Sequence, residues 1–439
     1  MTKILATVGP ISSGRNLKKI LQKSDLIRLK MSHNSIQWHR KNINQIKKID
    51  KNKLILLDIP GIKPRTSNKK NIEIKKNEVI KFSKNKFIKG VINLSNNIPK
   101  IKNKIKYFSI SDGSYQFKFI KYKKNILVGK SMQNFTLGSN KGLNVPFSIY
   151  NNTLQEKKYL FFLKKIKNLN FDCIGLSFIQ SAKIIHTLRK KYPNKIFISK
   201  IENYLGFRNR KEIIKSSDAI MIDRGDLAAE VGISNLYDYV ETIIDEAKKY
   251  GKPIIIATEN LNSLIQENLP SKSDVTNIDY YISNKKVDYI MLSDETATSK
   301  NWNNTINWLS RYLKIKKDKI ENVKNLTIEE IIKNLKNQTL VIFSKKGYFY
   351  KKIATLGIKN LIIFTQNELL RKKLLLHENC NTIFVKFPKK YLYKFLFENI
   401  KKNKNLIFKN NKFAYLINVI FPRKNSRANS ISIIEKNDF

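Results

Sequence analysis

Phe197-Ile-Ser-Lys-Ile-Glu202 and, about two dozen residues on, Ile222-Asp-Arg-Gly-Asp-Leu227 carry charge where an apolar strand should end. Each reads as the exit of a buried β-strand. Side chains alternate along a strand, so Lys200 and Glu202 fall on one side. An ammonium beside a carboxylate at a strand mouth, with Asp226 at the next exit, suits a divalent metal and a phosphoryl group. The same Lys-x-Glu also suits a buried ion pair closing a barrel, because structural ion pairs mimic sites. The pattern around it separates the two readings.

Short β-branched or Leu-rich runs recur at Ile4–Val8, Leu26–Met31, Leu54–Ile59, Cys173–Phe178, Ile196–Ile201, Ala219–Asp223, Ile254–Thr258 and Tyr289–Ser293. Stretches with helical spacing lie between them, at Leu17–Gln22, His39–Ile49, Leu154–Lys167, Ala182–Tyr192, Leu205–Ser216 and Leu236–Tyr250. Continuous apolar strands alternating with helices imply a parallel sheet covered on both faces. Eight units of this kind predict an α/β fold, a closed (β/α)₈ barrel rather than an open doubly wound sheet.

The third strand is not followed by a helix. Short Ile/Phe/Tyr runs punctuated by Asn, Lys, Asp112-Gly113 and Gly138 predict a small all-β insertion there. Loops that long on a barrel act as lids, since the chemistry sits at the C-terminal strand ends. The expected organisation is a barrel over 1–67 and 141–320, a β lid over 68–140 and a C-terminal α/β domain over 325–439. In that last domain Leu340–Ser344, Leu361–Thr365, Thr382–Val385 and Phe413–Phe421 read as strands, and the Lys/Asn-rich stretch 401–412 as solvated surface.

Composition removes several function classes. No run approaches the roughly 18 apolar residues of a membrane helix. The N-terminal Met-Thr-Lys-Ile-Leu runs straight into a strand pattern without a signal-peptide layout. Cys173 and Cys380 are the only cysteines, too few for a disulfide framework or thiolate metal site, and they fit a reducing cytosol. The net charge of +51, from 85 Lys+Arg against 34 Asp+Glu, invites a nucleic-acid reading. Yet the excess is mostly lysine, spread along the chain, and travels with heavy Asn and Ile usage, as A/T-rich codons would produce. Without an arginine cluster, zinc spacing or helix-turn-helix signal, a dedicated nucleic-acid partner is not expected.

The strand exits then collect polar groups on one rim: Arg28, Lys30 and Ser32 after strand two, and Asp58 with Lys63 and Arg65 after strand three. Ser177 follows on strand four, Lys200 and Glu202 on five, Asp223 and Asp226 on six, Thr258 on seven and Ser293 on eight. Isolated Ser or Thr there often cap backbone, but convergence of this kind points to a site. Arg28, Arg65 and Lys200 are cations suited to phosphate oxygens, while Glu202 and Asp226 are hard oxygen ligands suited to Mg²⁺. Carboxylates among cations, without a His cluster, favour phosphoryl transfer over zinc hydrolysis. No Walker-type loop is present, so a nucleotide must be held by other means.

At this point the chain resembles the pyruvate kinase family. The ordered matches are Thr2-Lys-Ile-Leu-Ala-Thr-Val-Gly-Pro10, Arg28-Leu-Lys-Met-Ser-His33, Asp58-Ile-Pro-Gly-Ile-Lys-Pro-Arg-Thr66, Lys141-Gly-Leu-Asn-Val-Pro146, Leu176-Ser-Phe178, Ser199-Lys-Ile-Glu-Asn203, Met221-Ile-Asp-Arg-Gly-Asp-Leu227, Lys252-Pro-Ile-Ile-Ile-Ala-Thr258 and Met291-Leu-Ser-Asp-Glu-Thr-Ala297. The resemblance implies phosphoryl transfer from phosphoenolpyruvate to ADP, giving pyruvate and ATP, the last step of glycolysis. It implies Mg²⁺ or Mn²⁺ held by Glu202 and Asp226, with Lys200 stabilising the transferring phosphoryl and the enolate. Arg28 matches the substrate-phosphate arginine; Ser177, Gly225, Asp226 and Thr258 the substrate side; Ser293 a position linked to proton delivery. Arg65 and Lys141 match nucleotide-side cations, and Asp112 a lid carboxylate. A homotetramer is the family's usual assembly.

Departures from the pattern cluster on the monovalent-cation site. Ser32, Asp58 and the Ile59 carbonyl match, but Lys30 stands at the family's Asn and Lys63 where potassium-dependent members carry Glu. Two ammonium groups in place of K⁺ imply K⁺-independent activity. Asn34, Ala228 and Asp294 replace usual glycines, at about 1 kcal/mol each if φ is positive there. Gln180 replaces a usual basic residue and Glu259 a usual Gln. Two competing readings stand beside this one: a degenerate, non-catalytic barrel kept as a binding or scaffold protein, and another metal-dependent barrel enzyme of phosphoenolpyruvate or keto acids.

Overall fold

The computed structural model describes residues 2–85, 90–101, 105–285, 287–317, 335, 337–344, 358–388, 392–409, 411–418 and 430–439. Eight parallel strands close into a barrel: Lys3–Thr7, Leu26–Lys30, Leu54–Ile59, Cys173–Leu176, Ile196–Ile201, Ala219–Asp223, Ile254–Ala257 and Tyr289–Leu292, with the first paired to both the second and the eighth. Their residues are almost all buried because each strand faces side chains within the barrel and helices outside it. Leu5, Leu54, Leu56, Ile198, Met221 and Met291 fill the interior, while Ile4, Ile27, Ile55, Ile174, Ile220 and Ile256 meet the helices. The alternation of a β-strand produces both cores from the same runs.

The helical spacing is realised with local differences. Ile36–Ile49 starts three residues before the expected point because Ser35 caps it, accepting from Trp38 N–H at 3.1 Å. The expected helix Leu205–Ser216 is two pieces, Tyr204–Arg208 and Arg210–Ser216, with Asn203 capping the first through Gly206 N–H at 2.8 Å. Asp226 does not lie on a strand. Strand six ends at Asp223, and Asp226 sits in the first turn of the helix Arg224–Val231.

The described residues of the insertion after strand three are all-β, as expected: a six-stranded sheet and a two-stranded one. Its core stacks Phe108 on Phe117, ring centroids 5.1 Å apart, with Phe82 edge-on to both. Gly129 is required there, since a Cβ would stand 2.4 Å from the Phe108 ring.

In the C-terminal region the sheet order is Cys380–Phe384, Asn360–Thr365, Thr339–Phe343, Phe413–Asn418 and Ser430–Glu435, the last antiparallel. The expected strand to Phe421 is described as far as Asn418, and the expected boundary near 320–325 lies outside the described residues. The stretch 401–412 is not simply solvated surface. It holds the end of the helix Leu392–Lys402 and the turn Lys404–Ile407, and Ile407 and Phe408 are buried in the domain core. Among the described residues no helix is long and apolar enough to cross a membrane.

The C-terminal region also closes the barrel from below. Leu376 is fully buried among the interior side chains. Lys3 Nζ donates to the carbonyls of Leu375 at 2.8 Å and His377 at 2.6 Å, and Tyr289 Oη to Leu375 at 2.9 Å. Lys372 and Lys373 reach Asp172 and Asp218, each at 2.6 Å.

Candidate active site

The strand mouths and the lid enclose one cleft at the C-terminal face of the barrel. It is lined by Arg28, Lys30, Ser32, Asp58, Lys63, Arg65, Ser177, Lys200, Glu202, Asp226, Thr258 and Ser293, all singled out from sequence, together with Asp112, Asp223 and Asp294. Three sequence-selected residues lie outside the lining. Lys141 is exposed beyond it. Ile59 belongs to the barrel–helix core, and its carbonyl accepts Ser177 N–H at 3.3 Å. Gly225 sits one layer behind, its N–H donating to Thr258 Oγ1 at 3.1 Å.

Lys200 is the hub. Its Nζ lies 3.0 Å from Glu202, 3.2 Å from Asp223 and 3.5 Å from Asp58. Burial works to lower its pKa, but Asp58, Glu202 and Asp223 outweigh it and hold the ammonium well above its ordinary value. Asp58 in turn accepts Arg28 Nε at 2.9 Å, Arg28 Nη2 at 2.7 Å and Ser177 Oγ at 2.8 Å. Burial would raise the Asp58 carboxyl, yet Lys200 and Arg28 keep it well below the usual carboxylate range. The opening ambiguity resolves into both alternatives at once: the Lys-x-Glu is a buried ion pair, and it stands in the cleft.

Glu202 accepts Phe178 N–H through Oε1 at 2.7 Å. Its Oε2 is within ion-pair range of Lys200 but lies off the angle of a hydrogen bond, so this fully buried oxygen has no hydrogen-bond donor. Burial pushes Glu202 well above its ordinary range, with Lys200 opposing. Glu202, Asp223 and Asp226 each offer an oxygen within 4.8 Å of the others.

Lys63 is placed differently from the expectation that it joins Lys30 in one cation site. Its Nζ turns to Asp226 and, at 3.0 Å, to Asp112 from the lid. Burial works against its charge, but Asp226 and Asp112 hold it above the ordinary lysine range. Asp226 is pushed up to about 6, by burial first, against Lys63 and with Asp112 and Asp223 adding. A Cβ on Gly142 would stand 2.6 Å from Lys63 Cε and Nζ, so the Lys141-Gly142 return from the lid leaves the room this lysine occupies. Among the described residues no carboxylate forms an ion pair with Lys30, and Asp294 is the nearby acid that favours its charge. Burial, then Arg28, Lys200 and Arg65, lowers its pKa.

Arg224 was not singled out from sequence, although its motif was. It donates to the carbonyls of Thr258 and of Glu259, the latter at 3.0 Å, and to Asn260 Oδ1 at 3.0 Å and Asn277 Oδ1 at 2.8 Å. Thr258 and Glu259 have φ of 63° and 52°. A β-branched residue is rarely found there, and Arg224 braces the turn that presents Thr258. Of the three lost glycines only Asn34 has positive φ, 61°, and Asn tolerates that region best among non-glycines. Ala228 and Asp294 are helical, so no penalty attaches to them. Gln180 is structural: its amide bonds Tyr150 N–H and C=O, both at 3.2 Å. His33 is half-buried, and burial with Lys30 and Arg65 pushes it down to about 4, so it is neutral at pH 7.

Known proteins match this chain in sequence and in fold. The family model for the pyruvate kinase barrel domain matches residues 1–306. A pyruvate kinase of Buchnera aphidicola is 30% identical over 389 residues, 83% of this chain and 79% of its own length. One of Methanocaldococcus jannaschii is 29% identical over 380 residues, 82% of this chain and 83% of its own. Among solved structures, a pyruvate kinase from Cryptosporidium parvum superimposes with a TM-score of 0.80 at 23% identity, covering 99% of this chain and 96% of that one. One from Pyrobaculum aerophilum gives 0.76 at 20% identity, covering 99% and 98%; at such identities these two speak for the fold alone. The sequence matches extend far past any single motif, and on them the chain belongs to the pyruvate kinase family.

Proposed function

We propose that the chain is a working pyruvate kinase, transferring the phosphoryl group of phosphoenolpyruvate to ADP with a divalent metal and without need of K⁺. The observation that carries this reading is the cleft itself, where Lys200 lies within 3.5 Å of three carboxylates and next to Arg28. A barrel drifting toward a binding role would have no reason to keep a fully buried lysine among buried acids, which is costly unless every charge is paired.

The residues fit a divalent ion. A buried carboxylate oxygen without a donor, in a set of three carboxylates, is hard-oxygen chemistry of the kind Mg²⁺ or Mn²⁺ takes. Glu202 and Asp226 would hold it, and when bound it supplies positive charge to substrate and phosphoryl oxygens. The protein's own groups do the rest. Arg28, fixed by Asp58 and Thr7, offers a rigid guanidinium edge to phosphate oxygens. Lys200 supplies a permanent cation where charge develops on the phosphoryl and the enolate. Thr258, on its braced turn, presents a hydroxyl to the substrate side, and Ser293 stands across the cleft to pass a proton. Arg65 faces the nucleotide side.

K⁺ independence rests on Asp58 and Lys30. The one carboxylate of the expected monovalent site is already committed to Arg28, and an ammonium lines the cleft beside it. A further cation would meet like charges in a poorly solvated space.

The test follows ATP formation from phosphoenolpyruvate and ADP with Mg²⁺, in buffer free of K⁺ and Na⁺, for the wild type and Lys200→Met. Turnover by the wild type, about a hundred- to thousandfold slower in the variant, is the expected result. No wild-type turnover under any salt would remove the reading, and a steep rise on adding K⁺ would remove its K⁺ clause.

A further inference from the structure

The family resemblance assigns two carboxylates to the metal, yet three converge on the same point. Asp223 ends strand six, 6% exposed, with an oxygen within 4.8 Å of those of Glu202 and Asp226. It also occupies the N-cap of the helix Arg224–Val231, where an aspartate ordinarily accepts a backbone N–H of the first turn. Here its side chain makes no capping bond and turns into the cleft instead.

Charge balance explains what it does there. Lys63 and Asn144, the latter at 3.4 Å, both engage Oδ1 of Asp226, so this acid is half spent before any metal arrives. Among the barrel's ion-paired groups at the mouth, Asp58, Glu202 and Asp226 against Arg28, Lys200 and Lys63 sum to zero: three negative charges and three positive. A neutral cluster offers a dication little Coulomb attraction to offset its dehydration. Adding Asp223 leaves one net negative charge, beside the donor-free Oε2 of Glu202.

We propose that Asp223 is a third carboxylate ligand of the divalent metal, offsetting the lysine that occupies Asp226. The proposal deepens the kinase reading and rests on its metal site. The competing role for Asp223 is to hold Lys200, 3.2 Å away, and nothing else.

The test titrates Mn²⁺ into the substrate-free full chain, with binding read by loss of the free-ion electron paramagnetic resonance signal and by calorimetry. Asp223→Asn keeps the shape and removes the charge; Asp223→Ala removes both; melting curves establish that each is folded. The expected result is one Mn²⁺ per wild-type chain and an affinity at least tenfold weaker in both variants. Lys63→Met should bind more tightly than wild type, because it frees Asp226. Equal affinity in wild type and both Asp223 variants, even with slowed turnover, assigns the residue to Lys200 alone and overturns the proposal. So does a wild type that binds no Mn²⁺. Because no substrate is present, a chain that binds the metal as described but forms no ATP would defeat the kinase reading and leave this one standing.

Discussion

The two ends of the same barrel handle buried charge in opposite ways. At the C-terminal mouth, Lys200, Lys63 and Arg28 face Asp58, Glu202, Asp223 and Asp226, and a buried carboxylate oxygen is left without a donor. At the floor, Asp172 is met by Lys47 of the barrel and Lys372 of the C-terminal region, Asp218 by Arg189 and Lys373, Lys3 is bonded to two carbonyls, and Leu376 seals the interior. The floor spends its charges on fixing one domain to another. The mouth keeps part of its charge unsatisfied, which costs stability and makes room for a ligand. Strain follows the same division: Phe178, Thr258 and Glu259 hold positive φ around the mouth, whereas none of the floor strands does.

The comparison predicts that damage at the floor acts on stability and damage at the mouth on rate. Leu376→Ala should cost about 2–5 kcal/mol by chemical denaturation, the range for emptying a core site, with kcat within about twofold of wild type in the folded protein. A rate loss as large as the stability loss would break the division. Gly142→Ala tests the other end. The new Cβ displaces the Lys63 ammonium from Asp226, and turnover should fall about ten- to hundredfold, the scale of a misplaced active-site group. Its melting temperature should stay within about 4 °C.

A further effect at the floor depends on pH. Burial, with Lys3 and Lys252 nearby, pushes His377 down to about 3 from its ordinary 6.5. A depressed folded-state pKa contributes stability that is complete above pH 6.5 and lost as pH falls toward 3. Asp288, which accepts Glu378 N–H at 3.2 Å, is pushed up to about 7 by burial and Glu378, so its contribution runs the other way and is lost as pH rises through 7. Between about pH 4 and 6.5 the two slopes oppose one another at the same joint. His377→Gln removes one of them. The stability difference between wild type and this variant should widen as pH rises from 3 to 6.5, by at most about 1.4 kcal/mol per pH unit, and then stay flat. A difference that does not vary with pH would remove His377 from the account.

The mouth was largely legible in the sequence and the floor was not. Strand exits follow from apolar runs with period two, so Arg28, Lys200, Glu202 and Thr258 could be placed by counting. The direction of Lys63 could not, since it lies past Pro60 and Gly61, where strand alternation no longer applies; its position is set by the space beside Gly142. Asp223 was seen at a strand exit, but its metal-side role needs the distances to Glu202 and Asp226. Arg224 braces a strained turn thirty-odd residues away, which spacing does not encode. The floor depends on Leu375, Leu376 and His377, a short irregular stretch with no periodic signal.

That joint also bears on the order of folding. Lys3, in the first strand, bonds Leu375 across 372 residues of chain. At about 5–20 residues per second of synthesis, the first strand waits roughly 20 to 75 s for the segment that completes its floor. A ribosome-bound chain stopped after strand eight would hold a closed ring of strands with its lower end open. The barrel is built first and finished last.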